Sequence, residues 1–358
     1  MVQLITTLVN GTGPIPSKIV LVGEAPGQTE VIKGVPFVGE SGQELHRMME
    51  DAGLDFSDCY RTNVLRERPD GNKIEGFCVH KREAQEILPG YSFPALGQGK
   101  YLHPRFLPEL LRLQEEIMEC QPNLIIAFGA TAAWALIDNS SISKVRGYVT
   151  PSTLVPGVKV LPTFHPAAVL RAWNLRVIVV TDLIKAKREA EFPEIRRPHR
   201  EIWTAPTIAD LHHFQELYLQ DKTKILSVDT ETKRGQIDCV GFSPSIDKAI
   251  VVPFWDLSKD NGSYWDDPAD EVRAMRWCVD LLEGPHPLLF QNGLYDIQYF
   301  VRSWHCRPTK FEHDTMILSH ALQPEIPKDL GFLGSVYTDE ASWKLARHRV
   351  EKGGKRDE

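Results

Sequence analysis

Three short, mostly apolar runs, each followed by a loop or a helix, constrain the fold of this chain more than any other feature. They are Lys18–Gly23, Leu124–Gly129 and Val158–Thr163. Mostly apolar runs of this length are typical of strands that are covered on both faces, as in a parallel sheet. Apolar residues at helical spacing in Ser41–Ala52 and Ala130–Ile137 indicate the helices between them. The first half is therefore predicted to be an α/β domain built on a parallel sheet.

A second domain is predicted after a segment rich in proline and charge. The length of 358 residues favours two domains, and three prolines stand in a dense run of charge between residues 188 and 206. We predict a first domain over 1–192, a linker over 193–206 and a second domain over 207–358. In the second domain, strands come first and helices alternate with a strand afterwards, which indicates an α+β or ribonuclease-H-like layout. Within Arg176–Lys187, the run VIVV favours a strand and the rest favours a helix, so both stay open.

Net charge and hydropathy bear on whether the chain binds metal ions, spans a membrane or is secreted. The net charge is −7, and residues 201–358 hold 18 basic against 26 acidic side chains. Ligation of divalent metal ions is one use for such carboxylates, and ordinary solvated surface charge is the other. No window approaches 18 consecutive apolar residues, which argues against a membrane span. The N-terminus also lacks the basic start and apolar core of a secretory signal. We expect a cytoplasmic protein with no membrane partner.

Four loops of the first domain carry, directly after a strand or turn, side chains that can ionise, stack or form hydrogen bonds. Loops at the carboxyl ends of parallel strands converge on one crevice, so segments far apart in the sequence can meet there. The crevice would hold a carboxylate, an aromatic ring, an amide and an imidazole. The segments are Gly23–Glu30, Gly34–Gly39, Thr62–Val64 and Thr163–Pro166, with the side chains of Glu24, Phe37, Asn63 and His165.

This set of side chains suits the excision of a base from DNA. A flipped base is stacked on an aromatic face, for which we predict Phe37, and is read along its Watson–Crick edge. The Asn63 amide offers a donor and an acceptor that match O4 and N3–H of uracil, whereas cytosine presents the reverse pattern. Glu24, aided by Glu30, would stabilise the positive charge that develops on the sugar and hold the attacking water. His165 would stabilise the negative charge that develops on the base.

The order of these motifs resembles the uracil-DNA glycosylase superfamily, and most closely its family 4 branch. The resemblance covers about residues 15–190 and rests on VGEAPGQTEVIKGVPFVGESGQEL from Val22, TNV from Thr62, LIIAFGATAAWAL from Leu124, VRG from Val145 and LPTFHPAAVLR from Leu161. It implies a three-layer parallel-sheet domain that hydrolyses the N-glycosidic bond of uracil in DNA and leaves an abasic site. By this resemblance, Glu24 is the catalytic carboxylate, Phe37 the stacking ring, Asn63 the base reader and His165 the histidine of the second motif. To these we add Glu30 for catalysis, Ala25 and Gly23 for uracil, and Pro166, Ala167, Leu170 and Arg171 for DNA, as part of a wedge.

The chain departs from that family in its cysteines. Family 4 members usually hold a [4Fe–4S] cluster on four cysteines, one pair of them ahead of the GEAPG loop. Here no cysteine precedes Cys59, Glu67 stands where the family has a cysteine after the TNV segment, and the six cysteines lie at least 19 positions apart. We therefore predict reduced thiols, no iron–sulfur cluster and no cofactor for the glycosylase. The stretch Pro69–Pro104, near the usual cluster site, must then be held by packing.

A second set of motifs resembles the proofreading 3′–5′ exonuclease domain of family A DNA polymerases, over about residues 201–343. The matching segments are SVDTET, LFQNGLYD, HDTMILSHAL and KDLGFLGSVYTDE. Asp229 and Glu231 alternate along a strand, so both would project from one face. By this resemblance Asp229, Glu231 and Asp296 would hold Mg²⁺ or Mn²⁺ for phosphodiester hydrolysis, and Asp314 would be structural.

The last motif of the exonuclease family, a tyrosine followed at fixed spacing by a ligand aspartate, is absent. Tyr337 has Ala341 at that spacing, and Asp357 has Gly353. Either the chain belongs to a longer protein that continues into a polymerase, or the second domain is an incomplete vestige. Exonuclease activity is expected only where a longer chain supplies the motif.

The sequence as a whole predicts a uracil-DNA glycosylase joined to an incomplete exonuclease-like domain. Its partner is uracil-containing DNA, and a DNA polymerase is a further expected partner, because such a fusion fits DNA replication in a bacterial or bacteriophage setting. The cytoplasm would then be that of a bacterial cell or a phage-infected host. Two alternatives stay open: a reader that binds uracil in DNA without cutting, and a metal-dependent nuclease whose first domain positions DNA.

Overall fold

Contacts divide the protein into two units in the computed structural model, which describes residues 8–340. The first unit runs to Arg197 and takes up the chain again at Gly331, and the second unit is Pro198–Leu330. Each unit is built around its own sheet. The division after Arg197 falls within the predicted linker of residues 193–206.

Four parallel strands and one antiparallel strand form the main sheet of the first unit. The strands of this unit are β1 (Ile19–Gly23), β2 (Tyr60–Asn63), β3 (Cys78–Val79), β4 (Tyr101–Leu102), β5 (Leu124–Phe128), β6 (Thr150–Pro151) and β7 (Lys159–Thr163). The main sheet has the order β2-β1-β5-β7-β6, with β6 antiparallel to β7, while β3 and β4 form a separate pair. The three apolar runs of the sequence are β1, β5 and β7, so the predicted parallel sheet is confirmed.

Helices cover both faces of this sheet. They are α1 (Gln28–Lys33), α2 (Glu40–Asp51), α3 (Lys81–Ile87), α4 (Leu107–Cys120), α5 (Gly129–Ile137), α6 (Ile142–Val145), α7 (Pro166–Arg171) and α8 (Leu175–Glu189), with short 3₁₀ turns at Phe56–Asp58, Asp70–Asn72, Ile74–Phe77 and Pro104–Phe106. Successive strand residues point to opposite faces. Val22 belongs to one core with Leu113 of α4, and Leu21 belongs to another with Met48 of α2 and Leu183 of α8. The predicted three-layer architecture is therefore confirmed.

Arg176–Lys187, for which the sequence left strand and helix open, is helical and lies within α8. Val179, Leu183 and Ala186 are fully buried in the core beneath the sheet. Their spacing of four and three residues places them on one side of a helix, whereas a strand would turn them to different faces. Burial of this side outweighs the strand preference of the VIVV run.

Packing and hydrogen bonds hold the stretch Pro69–Pro104, which the sequence predicted to be held without a cluster. The rings of Phe77 and Phe106 lie 4.4 Å apart between centroids. The hydroxyl of Tyr91 donates to the carbonyl of Leu102 at 2.9 Å, and the indole of Trp134 donates to the carbonyl of Pro94 at 2.9 Å. These contacts tie the stretch to α5 and to the core above the sheet.

The second unit has a mixed sheet of six strands. Its elements are β8 (Glu201–Trp203), α9 (Ile208–Tyr218), β9 (Leu226–Lys233), β10 (Gln236–Ser245), β11 (Lys248–Pro253), α10 (Pro268–Leu282), β12 (Leu288–Phe290), α11 (Leu294–Trp304), β13 (Phe311–Asp314) and α12 (Thr315–Leu322). The sheet order is β13-β12-β9-β10-β11-β8, with β9, β10 and β11 antiparallel and the outer strands parallel to their neighbours. Antiparallel strands followed by helices and parallel strands are the order that the sequence predicted. The strand β8 lies inside the predicted linker, so part of that segment is ordered.

The chain returns to the first unit with α13 (Leu330–Tyr337). The buried guanidinium of Arg146 donates to Ser335 Oγ at 2.7 Å. The buried ammonium of Lys185 donates to the carbonyls of Ser335 at 3.0 Å and Thr338 at 2.6 Å. The predicted second domain extended to residue 358, whereas the contacts assign α13 to the first unit. Ala341, Gly353 and Asp357, on which the prediction of a missing motif rests, lie outside the described residues.

None of the helices between residues 8 and 340 combines the length and the apolar character that crossing a bilayer requires.

Candidate active site

The carboxyl ends of four neighbouring strands open onto one cavity of about 420 Å³. Asn63 ends β2 and Glu24 follows β1, and these two strands pair with Gly23 opposite Asn63. The helix α5 follows β5, and His165 follows β7. Because the sheet order is β2-β1-β5-β7, these connections lie side by side along one edge. Glu24, Phe37, Asn63 and His165 all line the cavity, so the structure brings the four predicted side chains together.

Glu24 is held by a hydrogen bond that the sequence pattern did not indicate. The hydroxyl of Thr131 in α5 donates to Oε2 of Glu24 at 2.5 Å. Burial raises the pKa of the Glu24 carboxyl, and the Thr131 hydroxyl opposes this shift. Thr131 lies within the LIIAFGATAAWAL segment. No signal in the sequence pointed to Thr131, because its contact depends on the pairing of β5 with β1, which places the start of α5 beside the loop after β1.

Asn63 presents an unpaired donor in the cavity. The residue is 4% exposed, and its Nδ2 is buried with no hydrogen-bond partner. Arg112 fixes the backbone beneath it, because its Nη2 donates to the carbonyls of Asn63 and Val64, each at 2.9 Å. Gly23 lies against the amide, since a Cβ at Gly23 would be 2.3 Å from Asn63 Oδ1. A buried donor without a partner is costly unless a ligand satisfies it, and O4 of a uracil ring is an acceptor of the right kind.

Phe37 occupies a left-handed backbone conformation, with φ of 58°, which residues other than glycine rarely adopt. Its ring packs edge-on against Phe128 with 5.9 Å between centroids. Gly42 and Gly23 make room for this turn, because a Cβ at Gly42 would be 2.0 Å from the Phe37 carbonyl oxygen and one at Gly23 would be 2.9 Å from the ring. The conformation delivers an aromatic side chain to the cavity wall.

His165 is a neutral hydrogen-bond donor that follows β7, at the other end of the row of four strands from Asn63. Its Nδ1 accepts from the backbone N–H of Ala167 at 3.1 Å and caps α7. Burial, together with the charge of Arg171, lowers the pKa of His165 to about 4. Since Nδ1 acts as an acceptor, the single proton of the neutral ring resides on Nε2. The imidazole can therefore donate from Nε2 to a ligand in the cavity at neutral pH.

Glu30 lines the cavity but bonds to the backbone around it. Its Oε2 accepts from the N–H of Gly27 at 2.5 Å. Bonds from the backbone of Phe37 and Val38 also lower its pKa, against a larger upward effect of burial. The carboxylate thus ties the start of α1 to the Phe37 turn. Its predicted role beside Glu24 in catalysis stays a prediction.

The other residues predicted for the site divide between the cavity and its surroundings. Ala25, Ala167 and Arg171 line the cavity. Pro166 is buried at the first position of α7, Leu170 is 46% exposed on the same helix, and Gly23 lies behind Asn63. Of the described residues predicted for the site, these last three lie outside the cavity lining. The exposed side chain of Leu170 is compatible with the predicted wedge.

In the second unit, β9 continues through Asp229 and Glu231, which the sequence placed at the end of a strand. Both side chains are exposed. Asp296 in α11 is 2% exposed and its Oδ1 has no hydrogen-bond partner. Burial and the charge of Asp229 raise the pKa of Asp296 to about 7. Asp314, predicted to be structural, accepts from the backbone N–H groups of Asn292 and Gly293 at 3.1 and 2.8 Å.

The described residues do not assemble the three-carboxylate metal site that the sequence predicted for the second domain. Among residues 8–340, no group of three or more His, Cys, Asp or Glu side chains is placed to hold a metal ion. Asp229, Glu231 and Asp296 are therefore not gathered as a set of three ligands. Each of the six cysteines is free, and Glu67 makes an ion pair with Arg105 at 4.0 Å. The described residues do not fit a [4Fe–4S] cluster, because the six cysteines are not gathered as ligands.

Comparison with known proteins shows which family the first unit matches. The family model described as uracil DNA glycosylase superfamily matches residues 10–195. A type-4 uracil-DNA glycosylase of Thermotoga maritima is 35% identical over 186 residues, which cover 51% of this chain and 82% of that protein. One from Archaeoglobus fulgidus is 34% identical over 186 residues, covering 50% of this chain and 80% of that protein. Among solved structures, an EXD2 exonuclease domain soaked in Mn and GMP covers 39% of this chain and 71% of its own, at 11% identity and a TM-score of 0.27, which is too low to establish a shared fold.

Proposed function

Because the chain belongs to the uracil DNA glycosylase superfamily, we propose that it hydrolyses the N-glycosidic bond of uracil in DNA and leaves an abasic site. The observation that carries the proposal is the single cavity lined by Glu24, Phe37, Asn63 and His165. The substrate is uracil-containing DNA with the nucleotide flipped out of the strand. The family match ends at residue 195, so the expected links to a polymerase, to replication and to a phage host stay predictions.

Glu24 and His165 stabilise the opposite charges that develop at the two ends of the breaking glycosidic bond. The electron pair of the C1′–N1 bond passes to uracil, and positive charge develops on the sugar. The ionised carboxylate of Glu24 stabilises that charge, orients the water that adds to C1′ and accepts the proton that this water gives up, while uracil leaves as its N1 anion. His165 donates from Nε2 to O2 of uracil, where the negative charge accumulates, and a neutral imidazole does so without gaining a proton.

Recognition of uracil falls to Asn63 and Phe37. The unpaired Nδ2 of Asn63 donates to O4, and its Oδ1 accepts from N3–H. Cytosine presents a donor at the first position and an acceptor at the second, so each contact would become repulsive. The ring of Phe37 supplies the stacking face. A bidentate contact of this kind discriminates by about 1–3 kcal/mol.

The direct test is a time course on an oligonucleotide that carries one uracil, with alkali treatment to cleave at abasic sites. We expect product from the wild type and a loss of about 10²–10⁴ in turnover for Glu24→Gln, the range typical of a positioned catalytic group. Binding of uracil-DNA, measured by gel shift, should persist in the variant because the other three contacts remain. Glu40→Gln, an exposed glutamate at the start of α2, is the matched control and should match the wild type.

The same experiment separates the glycosylase from a non-cleaving reader. A reader would bind uracil-DNA and release no abasic product from the wild-type chain. Glu24→Gln would then bind uracil-DNA as the wild type does, and neither protein would show a measurable rate of excision. Absence of abasic product from the wild type contradicts the proposed hydrolysis, whereas binding by Glu24→Gln is expected in both cases.

A second candidate activity for the second unit is metal-dependent cleavage of single-stranded DNA. The observation in its favour is the buried, unpaired Oδ1 of Asp296, close enough to Asp229 that the charge of Asp229 raises its pKa. A divalent cation would relieve such a pair of carboxylates. Digestion of a labelled single strand in Mn²⁺ or Mg²⁺ that is lost in Asp229→Ala supports it, and no digestion in either metal contradicts it. EDTA should abolish this activity and leave uracil excision unchanged.

A further inference from the structure

Thr131 contacts the candidate catalytic carboxylate from a different connection of the sheet. It is the third residue of α5, is 2% exposed, and bonds from Oγ1 to Oε2 of Glu24 at 2.5 Å. The two residues are 107 positions apart in the sequence. Their contact follows from the pairing of β1 with β5, which brings the loop after β1 beside the start of α5.

We propose that Thr131 is a positioning residue for Glu24, whose hydroxyl holds one carboxylate oxygen and thereby fixes the orientation in which the carboxylate meets the sugar. An ionised carboxylate has no hydrogen to give, so the hydroxyl must be the donor. The bond engages Oε2 and leaves Oε1 for the sugar and the attacking water. This inference rests on the proposed glycosylase function.

The hydroxyl also favours the charged form of Glu24, which is the form that the reaction needs. Burial acts against that form, and Glu75 adds to this effect, while Thr131 and Arg171 oppose it. Cys78 is a further titratable group near the carboxylate, and His165 and Glu30 line the same cavity. Of the opposing interactions, the Thr131 hydrogen bond is the largest. Without it, the carboxylate should take up a proton at a higher pH.

The experiment compares the pH profiles of kcat/KM for uracil excision in three threonine variants. Thr131→Val keeps the shape of the side chain and removes the hydroxyl, and Thr131→Ser restores it. Thr163→Val is the control, because it removes a similar bond, from Thr163 Oγ1 to Asp182 Oδ2 at 2.6 Å, without contact to Glu24. Circular dichroism establishes that each variant is folded, and Thr131→Ala replaces Thr131→Val if the valine variant does not fold.

We expect the acid limb of the Thr131→Val profile to move to higher pH by about one unit, the size of a hydrogen bond to a charged group. Activity on the acid limb should then fall about tenfold relative to the wild type, and less at pH 8. Thr131→Ser should restore the limb, and Thr163→Val should leave it in place. An unmoved limb in Thr131→Val, or an equal shift in Thr131→Ser, overturns the role of the hydroxyl. A wild type that releases no abasic product would instead overturn the glycosylase function itself, so the two failures are distinguishable.

Discussion

His165 combines a structural and a chemical task in one ring. Its Nδ1 caps α7, which leaves the Nε2 proton for the ligand. Asparagine is among the best residues at a helix N-cap, so His165→Asn should preserve the cap and remove the donor. We expect turnover to fall by about 10²–10³, the cost of removing one preorganised donor, with the melting temperature at pH 7 nearly unchanged. A large loss of stability at pH 7 would show that the cap was not preserved.

The lowered pKa of His165 also predicts how stability depends on pH. The imidazole titrates near pH 6.5 in the unfolded chain and at about 4 in the folded protein. Between these values the unfolded chain binds a proton that the folded chain does not, so stability falls as the pH falls through this window. His165→Asn should reduce that acid-induced loss by about 1–3 kcal/mol. Urea unfolding at pH 7 and pH 4.5 measures it, and an equal loss in wild type and variant contradicts the shift.

Base selection should depend on the amide of Asn63. Asn63→Asp replaces the Nδ2 donor with a second acceptor, which suits the amino group of cytosine and repels O4 of uracil. We expect the preference for uracil over cytosine to fall about 5- to 150-fold, the equivalent of 1–3 kcal/mol. The measurement is excision from matched uracil and cytosine oligonucleotides.

Asn72 provides the matched control for this change. It also lines the cavity, but its Oδ1 accepts from Arg68 at 2.7 Å, a bond that an aspartate keeps. Asn72→Asp should leave base preference as it is. An unchanged preference in Asn63→Asp would mean that another residue reads the base.

At the scale of elements, α1 and the Phe37 turn are joined through Glu30. Its carboxylate accepts from the N–H of Gly27 and from the backbone of Phe37 and Val38. Glu30→Gln replaces one acceptor oxygen with an NH₂ group, which cannot accept from these N–H groups. Because a buried donor is then left without an acceptor, we expect the free energy of unfolding to fall by about 1–3 kcal/mol and KM to rise, since the stacking ring is less firmly placed.

Comparison with Glu24→Gln distinguishes scaffold from catalysis for Glu30. If Glu30 acts through the turn, kcat should change far less in Glu30→Gln than in Glu24→Gln. Wild-type stability together with a fall in kcat of the size seen for Glu24→Gln would instead support the predicted catalytic role. Chemical denaturation and steady-state kinetics on the same preparations give both numbers.

At the scale of the whole molecule, α13 is a structural part of the first unit. Lys185 is 6% exposed and donates to the carbonyls of Gly147, Ser335 and Thr338. Lys185→Met would leave these buried acceptors without their donor. We expect a loss of about 2–4 kcal/mol in the free energy of unfolding. Limited proteolysis should also cut more readily after residue 330.

The neighbouring Lys187 serves as the control, because it lies on the same helix with its side chain exposed. Lys187→Met should unfold at the wild-type temperature. If Lys185→Met does so too, the return of the chain to the first unit contributes nothing measurable to its stability.

The sequence predicts the strands and the site residues from different kinds of pattern, and it leaves some elements undecided. The strands β1, β5 and β7 and the helix α2 were predictable, because apolar periodicity is a local property that each segment carries by itself. The identities of Glu24, Phe37, Asn63 and His165 were predictable from motifs that occur in a fixed order. The form of α8 was not, because the VIVV run prefers a strand and only burial against the sheet decides for a helix.

By itself, therefore, the sequence determined the α/β class, the parallel sheet and four side chains that line one cavity. Only the tertiary structure decided that Thr131 meets Glu24 and that Ser335 meets Arg146, since these pairs are 107 and 189 positions apart. Such contacts depend on which strands become neighbours and where the chain returns, and no local pattern encodes either. The same reason applies to Glu30, whose carboxylate could face a ligand or a backbone turn until the fold placed three N–H groups around it.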